Sequence, residues 1–430
     1  DGFRKNLFLG KSDTSKKDES TYRFKMNWDS GFETKFKFLI TQIDLNDPAD
    51  IWTIDGSLNT LSDRPGLDTQ KTNAYGVRIF HQFDGFELQS LSSMTDTNVE
   101  ISYDADWGNS SSHAPFIYDY FSQTLRERET LSQEFRVVSD IANFKDNQNK
   151  EWVIGISYFE VNEANLKKDD GLYGDPSDPF GPYASNSQFS SEFSSDNFSV
   201  FGNLDYFFDD SLKLSVGARW ENYESEYSDS LGELFRPSDQ MSGGKISINK
   251  NFSADSNIFI SVARGFNQGG FNLNLGLAPD SNNSNLYYDP EFLTNYEAGF
   301  NSKIFNARMN IAANIFYSDR EDQQVLISTQ VDPADPNTFS FLTQNAAEGT
   351  NKGLEINIDM IAGESIDFFA RFGLLKTEIN NWASRPDLNG RAQAHAPEKS
   401  YAFGWNWSIT DRGSLSLAIT GKSRFYYSDS

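Results

Sequence analysis

Apolar and polar residues alternate along stretches of about ten residues in this chain, and short links alternate with long ones. In the stretch 401–409 the odd positions are Tyr, Phe, Trp, Trp and Ile, and the even positions are Ala, Gly, Asn and Ser. Successive side chains of a β-strand point to opposite faces, so each such stretch has one apolar and one polar face. A membrane barrel uses both, with the apolar face toward lipid and the polar face toward the lumen.

The pattern predicts sixteen antiparallel strands, paired as eight hairpins: 20–29, 33–44, 71–83, 86–97, 130–140, 151–162, 194–208, 211–227, 240–252, 256–266, 290–301, 305–318, 349–361, 364–379, 396–409 and 413–425. Tight Asp- and Gly-rich turns join the strands of a hairpin, and seven longer polar links join the hairpins. Outer-membrane barrels have short periplasmic turns and long extracellular loops. We therefore predict an all-β transmembrane barrel whose long links lie outside the cell. The alternative is a soluble β-propeller or large sandwich.

Composition narrows the class of protein further. The net charge is −25, and phosphate binding needs a cationic surface, so nucleic acid is not expected as a partner. Cysteine is absent, which excludes a disulfide scaffold and a thiolate metal site. Aromatic residues make up 15% of the chain, in keeping with the aromatic girdles of a membrane barrel.

Six different short motifs follow one another along the predicted strands. They are Ser132-Gln133-Glu134-Phe135-Arg136; Ala263 to Asn272 (ARGFNQGGFN); Asp289-Pro290-Glu291 with Asn295-Tyr296-Glu297-Ala298-Gly299; Phe316-Tyr317 with Asp322-Gln323-Gln324; Asn351-Lys352-Gly353-Leu354-Glu355; and Ala396-Pro397-Glu398. Together they resemble the barrel domain of TonB-dependent outer-membrane receptors. The resemblance covers residues 1–430 as one partial barrel domain.

The resemblance implies a bacterial outer-membrane location and a barrel of 22 strands, of which this chain would supply about the fourth to about the nineteenth. It also implies an N-terminal plug domain and a contact with TonB through the N-terminal region. The plug, the first strands and the last strands are expected to lie outside this sequence. Outer-membrane lipid and a small-molecule or oligosaccharide ligand are the other implied partners.

Most motif residues are expected to serve the wall. Gly299 and Gly353 suit places where a neighbour crowds the backbone. Glu297 and Glu355 fall on the polar face, where a buried carboxylate needs a partner. Arginines expected on the lumen side, which would supply such partners or contact a plug, are Arg136, Arg219, Arg264, Arg308 and Arg371.

Two groups of residues are candidates for binding the solute. The first leads from a strand into an outer loop and offers hydrogen-bond donors and one ring: Arg264, Asn267, Gln268, Phe271 and Asn272. The second consists of loop aromatics, since exposed apolar groups mark contact surfaces: Trp107, Tyr118, Tyr173 and Tyr183. Loop architecture is the competing interpretation of the first group, and self-packing of the second. The run Asp169, Asp170, Asp175 and Asp178 invites a Ca²⁺ site, but without EF-hand spacing a solvated acidic loop is favoured.

No catalytic residues, metal ligands or cofactors are predicted. The three histidines have no metal-ligand spacing, and no nucleophile elbow or phosphate-cradling loop is present. The leading hypothesis is an active importer of a scarce solute, most often a ferric siderophore in this family, with haem, cobalamin and oligosaccharides as alternatives. A passive sixteen-stranded porin and an adhesive surface barrel are the rival functions.

Overall fold

The computed structural model describes residues 2–139, 149–272, 286–330, 339–345, 348–382 and 385–428, and most of them belong to β-strands. Sixteen long strands are present, where the alternation predicts them. They are β1 (Glu19–Asp29), β2 (Thr34–Ala49), β3 (Gly66–Phe83), β4 (Phe86–Asp104), β5 (Ile117–Ser139), β6 (Lys150–Gly174), β7 (Ser187–Asp209), β8 (Leu212–Asp229), β9 (Ser238–Ser253), β10 (Ser256–Asn267), β11 (Glu291–Ile304), β12 (Met309–Glu321), β13 (Glu348–Ala362), β14 (Ile366–Asn381), β15 (Lys399–Thr410) and β16 (Gly413–Lys422).

Shorter elements lie at the end of the sheet that carries the long links. They are the strands Lys5–Asn6, Asn59–Thr60, Tyr183–Ala184, Leu234–Phe235, Gly270–Phe271, Tyr287–Tyr288, Gln324–Gln330 and Phe339–Asn345, and one 3₁₀ turn, Pro386–Leu388. Within the described ranges no helix has the length and apolar character needed to cross a membrane.

Each long strand pairs antiparallel with the next one along the chain, which makes one continuous meander from β1 to β16. Glycines with positive φ occupy several of the tight turns, at Gly31 (75°), Gly85 (87°) and Gly363 (80°). Such left-handed positions suit glycine, which has no Cβ. Local turn chemistry therefore sets the antiparallel order.

The register brings the apolar positions of successive strands into rows on one face. One row crosses β11 to β15 through Phe300, Ala313, Ile356, Phe372 and Tyr401. Leu214 and Trp405 lie on this same face, as the alternation predicts. Ile260 and Ile315 on this face are 61% and 57% exposed. So wide an exposed apolar surface is unfavourable in water. The apolar face is the lipid-facing, outward side of the wall, and the polar face is the inward side.

Several strands run further toward the long links than the alternation predicts. β5 begins at Ile117 instead of 130, and β6 continues to Gly174 instead of 162. The reason is that both faces are polar beyond the bilayer, so the period of two disappears from the sequence although the hydrogen-bonded ladder continues. Arg128 in this extension donates a hydrogen bond of 2.6 Å from Nε to Glu163.

The sheet has two open edges in the part of the chain that the structure describes. No ladder joins β1 to β16, and each of these strands pairs on one side alone. A complete sixteen-stranded porin requires that pairing. The porin hypothesis is therefore not supported by the strand order.

Candidate functional site

Two aromatic clusters that the sequence places in separate loops meet at the outer end of the wall. Tyr118 pairs across the ladder with Tyr173, which pairs in turn with Tyr183. Tyr118 and Tyr173 are each an even number of residues from a strand position on the inward face, Arg136 and Gly155, so they share that face. We call Tyr118, Tyr173 and Tyr183 the tyrosine row. It places three aromatic rings on the lumen side of the outer opening.

Two rings of the tyrosine row are exposed, and the third packs against a histidine. Tyr173 and Tyr183 are 40% and 49% exposed. The imidazole ring of His113 meets the Tyr118 ring edge-on, with centroids 5.3 Å apart. Trp107 lies in the same loop as His113, at a left-handed φ of 60°, and is 43% exposed. Exposed rings whose orientation is restricted by their neighbours offer flat apolar area to a bound molecule at low entropic cost.

The end of β10 and the segment that follows it are held by side-chain hydrogen bonds to other parts of the protein. Asn267 donates from Nδ2 to Gln324 Oε1 at 2.7 Å. Gln268 donates from Nε2 to Glu221 Oε1, also at 2.7 Å. Both predicted binding residues are therefore engaged by neighbouring elements, which agrees with the loop-architecture interpretation.

Phe271 and Asn272 are both 8% exposed and hold the same segment against neighbouring parts of the protein. The Phe271 ring stacks on Tyr227 with centroids 5.2 Å apart. Asn272 makes a reciprocal pair with Thr343, donating to its carbonyl oxygen at 2.9 Å and accepting from its amide at 2.7 Å. These contacts clamp two outer loops together at the mouth of the barrel.

Arg264 lies on the outward face, so the expectation that it faces the lumen is wrong. The register puts it on the same face as Val262. Its guanidinium lies 4.7 Å from the centre of the Phe292 ring and 3.3 Å from a carboxylate oxygen of Glu321. A long cationic side chain at the end of the apolar band can reach the interface, which makes this outward placement acceptable.

Of the other residues predicted to face the lumen, one lies elsewhere and the rest are on the inward face. Arg308 belongs to a tight turn, where its amide donates to Phe305 at 3.3 Å, and this differs from the lumen position that we expected. Arg136, Arg219 and Arg371 do lie on the inward face, beside Glu134, Glu221 and Asp359. Glu297 and Glu355 are also inward, at the positions facing Phe316 and Gly373.

The acidic run at the end of β6 and in the link that follows does not converge on one point. Asp169 accepts from Ser122 Oγ at 2.6 Å on the inward face, whereas Asp170 approaches Arg64 at 3.4 Å on the other. Asp175 accepts from the Ser177 amide at 2.8 Å, and Asp178 accepts from the Phe180 amide at 2.9 Å and from the Tyr183 hydroxyl at 2.8 Å. Across the described ranges, no three His, Asp or Glu side chains are placed to hold a metal ion.

A buried carboxylate pair at the outer end of β4 is not among the predicted site residues. Asp104 and Asp106 are 5% and 6% exposed. Asp106 accepts from the amides of Gly108 and Tyr120 at 3.0 and 2.7 Å. Burial is the main cause that raises the pKa of Asp104 to about 7; the hydrogen bond with Ser62 lowers this pKa, and the neighbouring Asp106 carboxylate raises it. The Asp-x-Asp-x-Gly spacing was the available signal.

We expect this pair to make the outer loops sensitive to pH. The pKa of Asp104 is higher in the folded loop than in the unfolded chain, so its stabilising contribution is present below about pH 4 and is lost as pH rises through about 7. We expect the free energy of local opening of residues 104–120 to fall by on the order of 2 kcal/mol between pH 5 and 8. Their amide hydrogen exchange, corrected for intrinsic rates, should therefore become faster over this range. Asp104→Asn should flatten this change. Asp170→Asn, at an exposed carboxylate, is the control, and an unaltered slope in Asp104→Asn would refute the assignment.

Comparison with known proteins gives a family and several structural neighbours. The family model described as "TonB dependent receptor-like, beta-barrel" matches residues 4–430. The ferric yersiniabactin uptake receptor FyuA from Yersinia pestis has a TM-score of 0.73 at 15% identity, covering 100% of this chain and 63% of that structure. The siderophore receptor PiuA from Acinetobacter baumannii has a TM-score of 0.68 at 13% identity, covering 97% of this chain and 66% of that one. The copper transporter OprC has a TM-score of 0.63 at 12% identity, covering 94% and 58%.

Proposed function

This chain belongs to the TonB-dependent receptor β-barrel family of the bacterial outer membrane, and from that premise we propose that the full-length protein is an active importer of a scarce solute. The family match along residues 4–430 is the observation that carries the proposal. The chain spans less than two thirds of FyuA, so the plug domain and the contact with TonB belong to the proposal as well.

A ferric siderophore is the proposed solute. FyuA and PiuA are named as a ferric yersiniabactin uptake receptor and a siderophore receptor, which supports this class. OprC is named as a copper transporter, so the wall itself does not select the solute. Haem, cobalamin and oligosaccharides therefore stay as alternatives, to be separated by experiment.

Uptake by a deletion strain tests the proposal. The strain should lose accumulation of its iron-loaded siderophore and regain it when the full-length gene is restored. A protonophore should abolish the restored uptake, because the energy comes from the inner membrane. Diffusive uptake that is unaffected by the protonophore would overturn the importer function and favour an open pore.

The tyrosine row is the proposed first contact with the solute. Tyr173→Ala combined with Tyr183→Ala removes two exposed rings, each of which contributes about 0.5–1.5 kcal/mol in a stacking contact. We expect cell-surface binding of the ferric siderophore to weaken by about tenfold or more. Tyr427→Ala, at a ring that is 78% exposed but remote from the row, is the matched control. Equal binding by both variants would remove the row from the site.

A further inference from the structure

Three polar side chains lie on the outward face of β4 and β5, among the apolar rows that meet lipid. We call Ser90, Ser92 and Gln133 the polar patch. Gln133 is directly opposite Ser92 across the ladder. Ladder pairing carries the row of Ser90 across the wall to the face of Leu214, through Phe135, Ile156, Val200 and Trp220. The polar patch is therefore on the lipid-facing side.

The polar patch lies at the centre of the apolar band. The outward positions of β4 from the tight turn to the carboxylate of Asp96 are Phe86, Leu88, Ser90, Ser92 and Met94. Gln133 lies between Leu131 and Phe135 on β5. Outward side chains in the band of β10 to β15 are apolar at the corresponding positions: Ile260, Ala298, Ala313, Ile356, Ala370 and Phe403. An amide and two hydroxyls in hydrocarbon lower the stability of a single barrel, so their presence calls for a compensating contact.

Hydrogen bonds within the polar patch use only part of its donors and acceptors. Ser92 Oγ donates to Gln133 Oε1, and Gln133 Nε2 donates to Ser90 Oγ at 3.2 Å and to the Glu134 carbonyl oxygen at 3.3 Å. Gln133 Oε1 thus keeps a second lone pair, and Ser90 Oγ donates to no acceptor among the described residues. A second copy related by a twofold axis presents the same donor and the same acceptor. Two reciprocal hydrogen bonds can therefore form between copies.

The surface around the polar patch is large enough for a contact between two copies. Four strand spacings of about 4.8 Å, from β3 to β7, and a band about 25 Å tall give about 500 Å² on each copy. Two such faces bury about 1,000 Å² in total, which reaches the lower bound of a specific interface. Serine is small, so two walls that meet at Ser90 and Ser92 can approach closely, as membrane helices do at small residues.

We propose that the polar patch is the centre of a twofold contact between two copies of the receptor in the plane of the membrane. Ser90 of each copy donates to the Gln133 amide oxygen of the other, and the surrounding apolar side chains pack against each other. The contact goes beyond the proposed function, because it depends on the lipid-facing side of the wall and not on the solute.

Cross-linking of the full-length receptor in native outer membranes tests the contact. Residues 1–430 contain no cysteine, so Ser92→Cys gives a unique thiol once any cysteine elsewhere in the receptor is replaced by serine. A short membrane-permeant bis-maleimide should join this variant into dimers and form no larger species, because a twofold contact is closed. Ala313→Cys, on the outward face of β12, is the matched control and should give no more dimer than random collision.

Gln133→Leu separates the contact from the folding of the single barrel. The variant removes the acceptor from both copies, so the dimer dissociation constant should rise about tenfold. Energy transfer between labelled receptors, followed on dilution with lipid, measures this constant. The urea concentration at which the wall unfolds should stay the same or rise, because an amide leaves hydrocarbon. Ala313→Leu introduces the same side chain on β12 and should leave the dissociation constant unchanged.

Two carboxylates just outside the apolar band oppose the contact. Asp96 and Glu129 face each other across the ladder between β4 and β5. In a dimer the carboxylates of both copies approach one another, and like charges at an interface repel. Asp96→Asn with Glu129→Gln should therefore strengthen the association about threefold or more at low salt, and the gain should disappear at about 0.5 M salt through screening.

The outcomes that overturn the proposal are specific. Equal cross-linking of Ser92→Cys and Ala313→Cys overturns it, and so does an unchanged dissociation constant in Gln133→Leu. Cross-links from Ser92→Cys to a different membrane protein alone overturn a second copy as the partner. The importer function is judged by uptake and its response to the protonophore, so its failure and the failure of the dimer are distinguishable.

Discussion

Replacing Gly353 by alanine is expected to lower the free energy of unfolding of the barrel by about 3 kcal/mol and to reduce the amount of folded protein in the membrane. A Cβ at this position would lie 2.5 Å from the carbonyl oxygen of Leu374 and 2.6 Å from the ring of Phe316. The carbonyl belongs to the neighbouring strand and cannot move without breaking its ladder. The change therefore strains β13 against both of its partners.

The same arrangement recurs along the inward face. Among the described strands, a phenylalanine ring lies over the glycine directly opposite it in four places: Phe201 over Gly155, Phe259 over Gly299, Phe316 over Gly353 and Phe369 over Gly404. The ring covers backbone that a glycine leaves bare, and a tightly curved wall gains close packing from the small residue. The expected crowding at Gly299 and Gly353 is thus confirmed.

Urea unfolding in lipid vesicles, followed by tryptophan fluorescence, measures the effect of Gly353→Ala. Gly265→Ala is the matched control, because a Cβ there meets no atom within 4 Å. We expect the control to stay within about 0.5 kcal/mol of the wild type. Equal stabilities of the two variants would show that the glycines do not support the wall.

Replacing Ile356 by arginine is expected to cost about 2–4 kcal/mol of folding free energy, because the side chain lies in the middle of the lipid-facing rows. The neighbouring residue, Asn357, points to the lumen, so Asn357→Arg should cost much less. The two variants have the same new residue one position apart, and they differ only in the face of the wall.

Folding into bilayers of defined thickness checks this pair. The penalty for Ile356→Arg should shrink in thinner bilayers, since the guanidinium then reaches water more easily. Comparable losses for both variants would contradict the assignment of the apolar face to hydrocarbon.

The strands and their two faces could be predicted well, because strand periodicity is a local property. Ile356 and Asn357 are neighbours in a strand, so their side chains point to opposite faces, and their difference in polarity tells which face meets lipid. The tight turns are local in the same sense, as Gly31 and Gly85 illustrate. Prediction failed where alternation ends, as in the extensions of β5 and β6, since both of their faces meet water.

The site was harder to predict. Tyr118 and Tyr183 are 65 residues apart in the chain, and only the ladders on both sides of Tyr173 bring them together. Arg264 and Arg308 were misplaced because one residue of register, or one turn, reverses the direction of a side chain. The buried pair Asp104 and Asp106 was overlooked because short polar loops carry no periodic signal of burial.

The sequence by itself determined that this chain forms a β-barrel wall, with one face for lipid, one for the lumen and two unlike ends. Only the tertiary structure decided which side chains meet: the tyrosine row at the mouth, the clamped outer loops and the polar patch on the lipid-facing side. The physical reason is range. Side-chain alternation and turn chemistry act between neighbours in the chain, whereas ladder register and loop packing are settled by contacts between residues far apart in sequence.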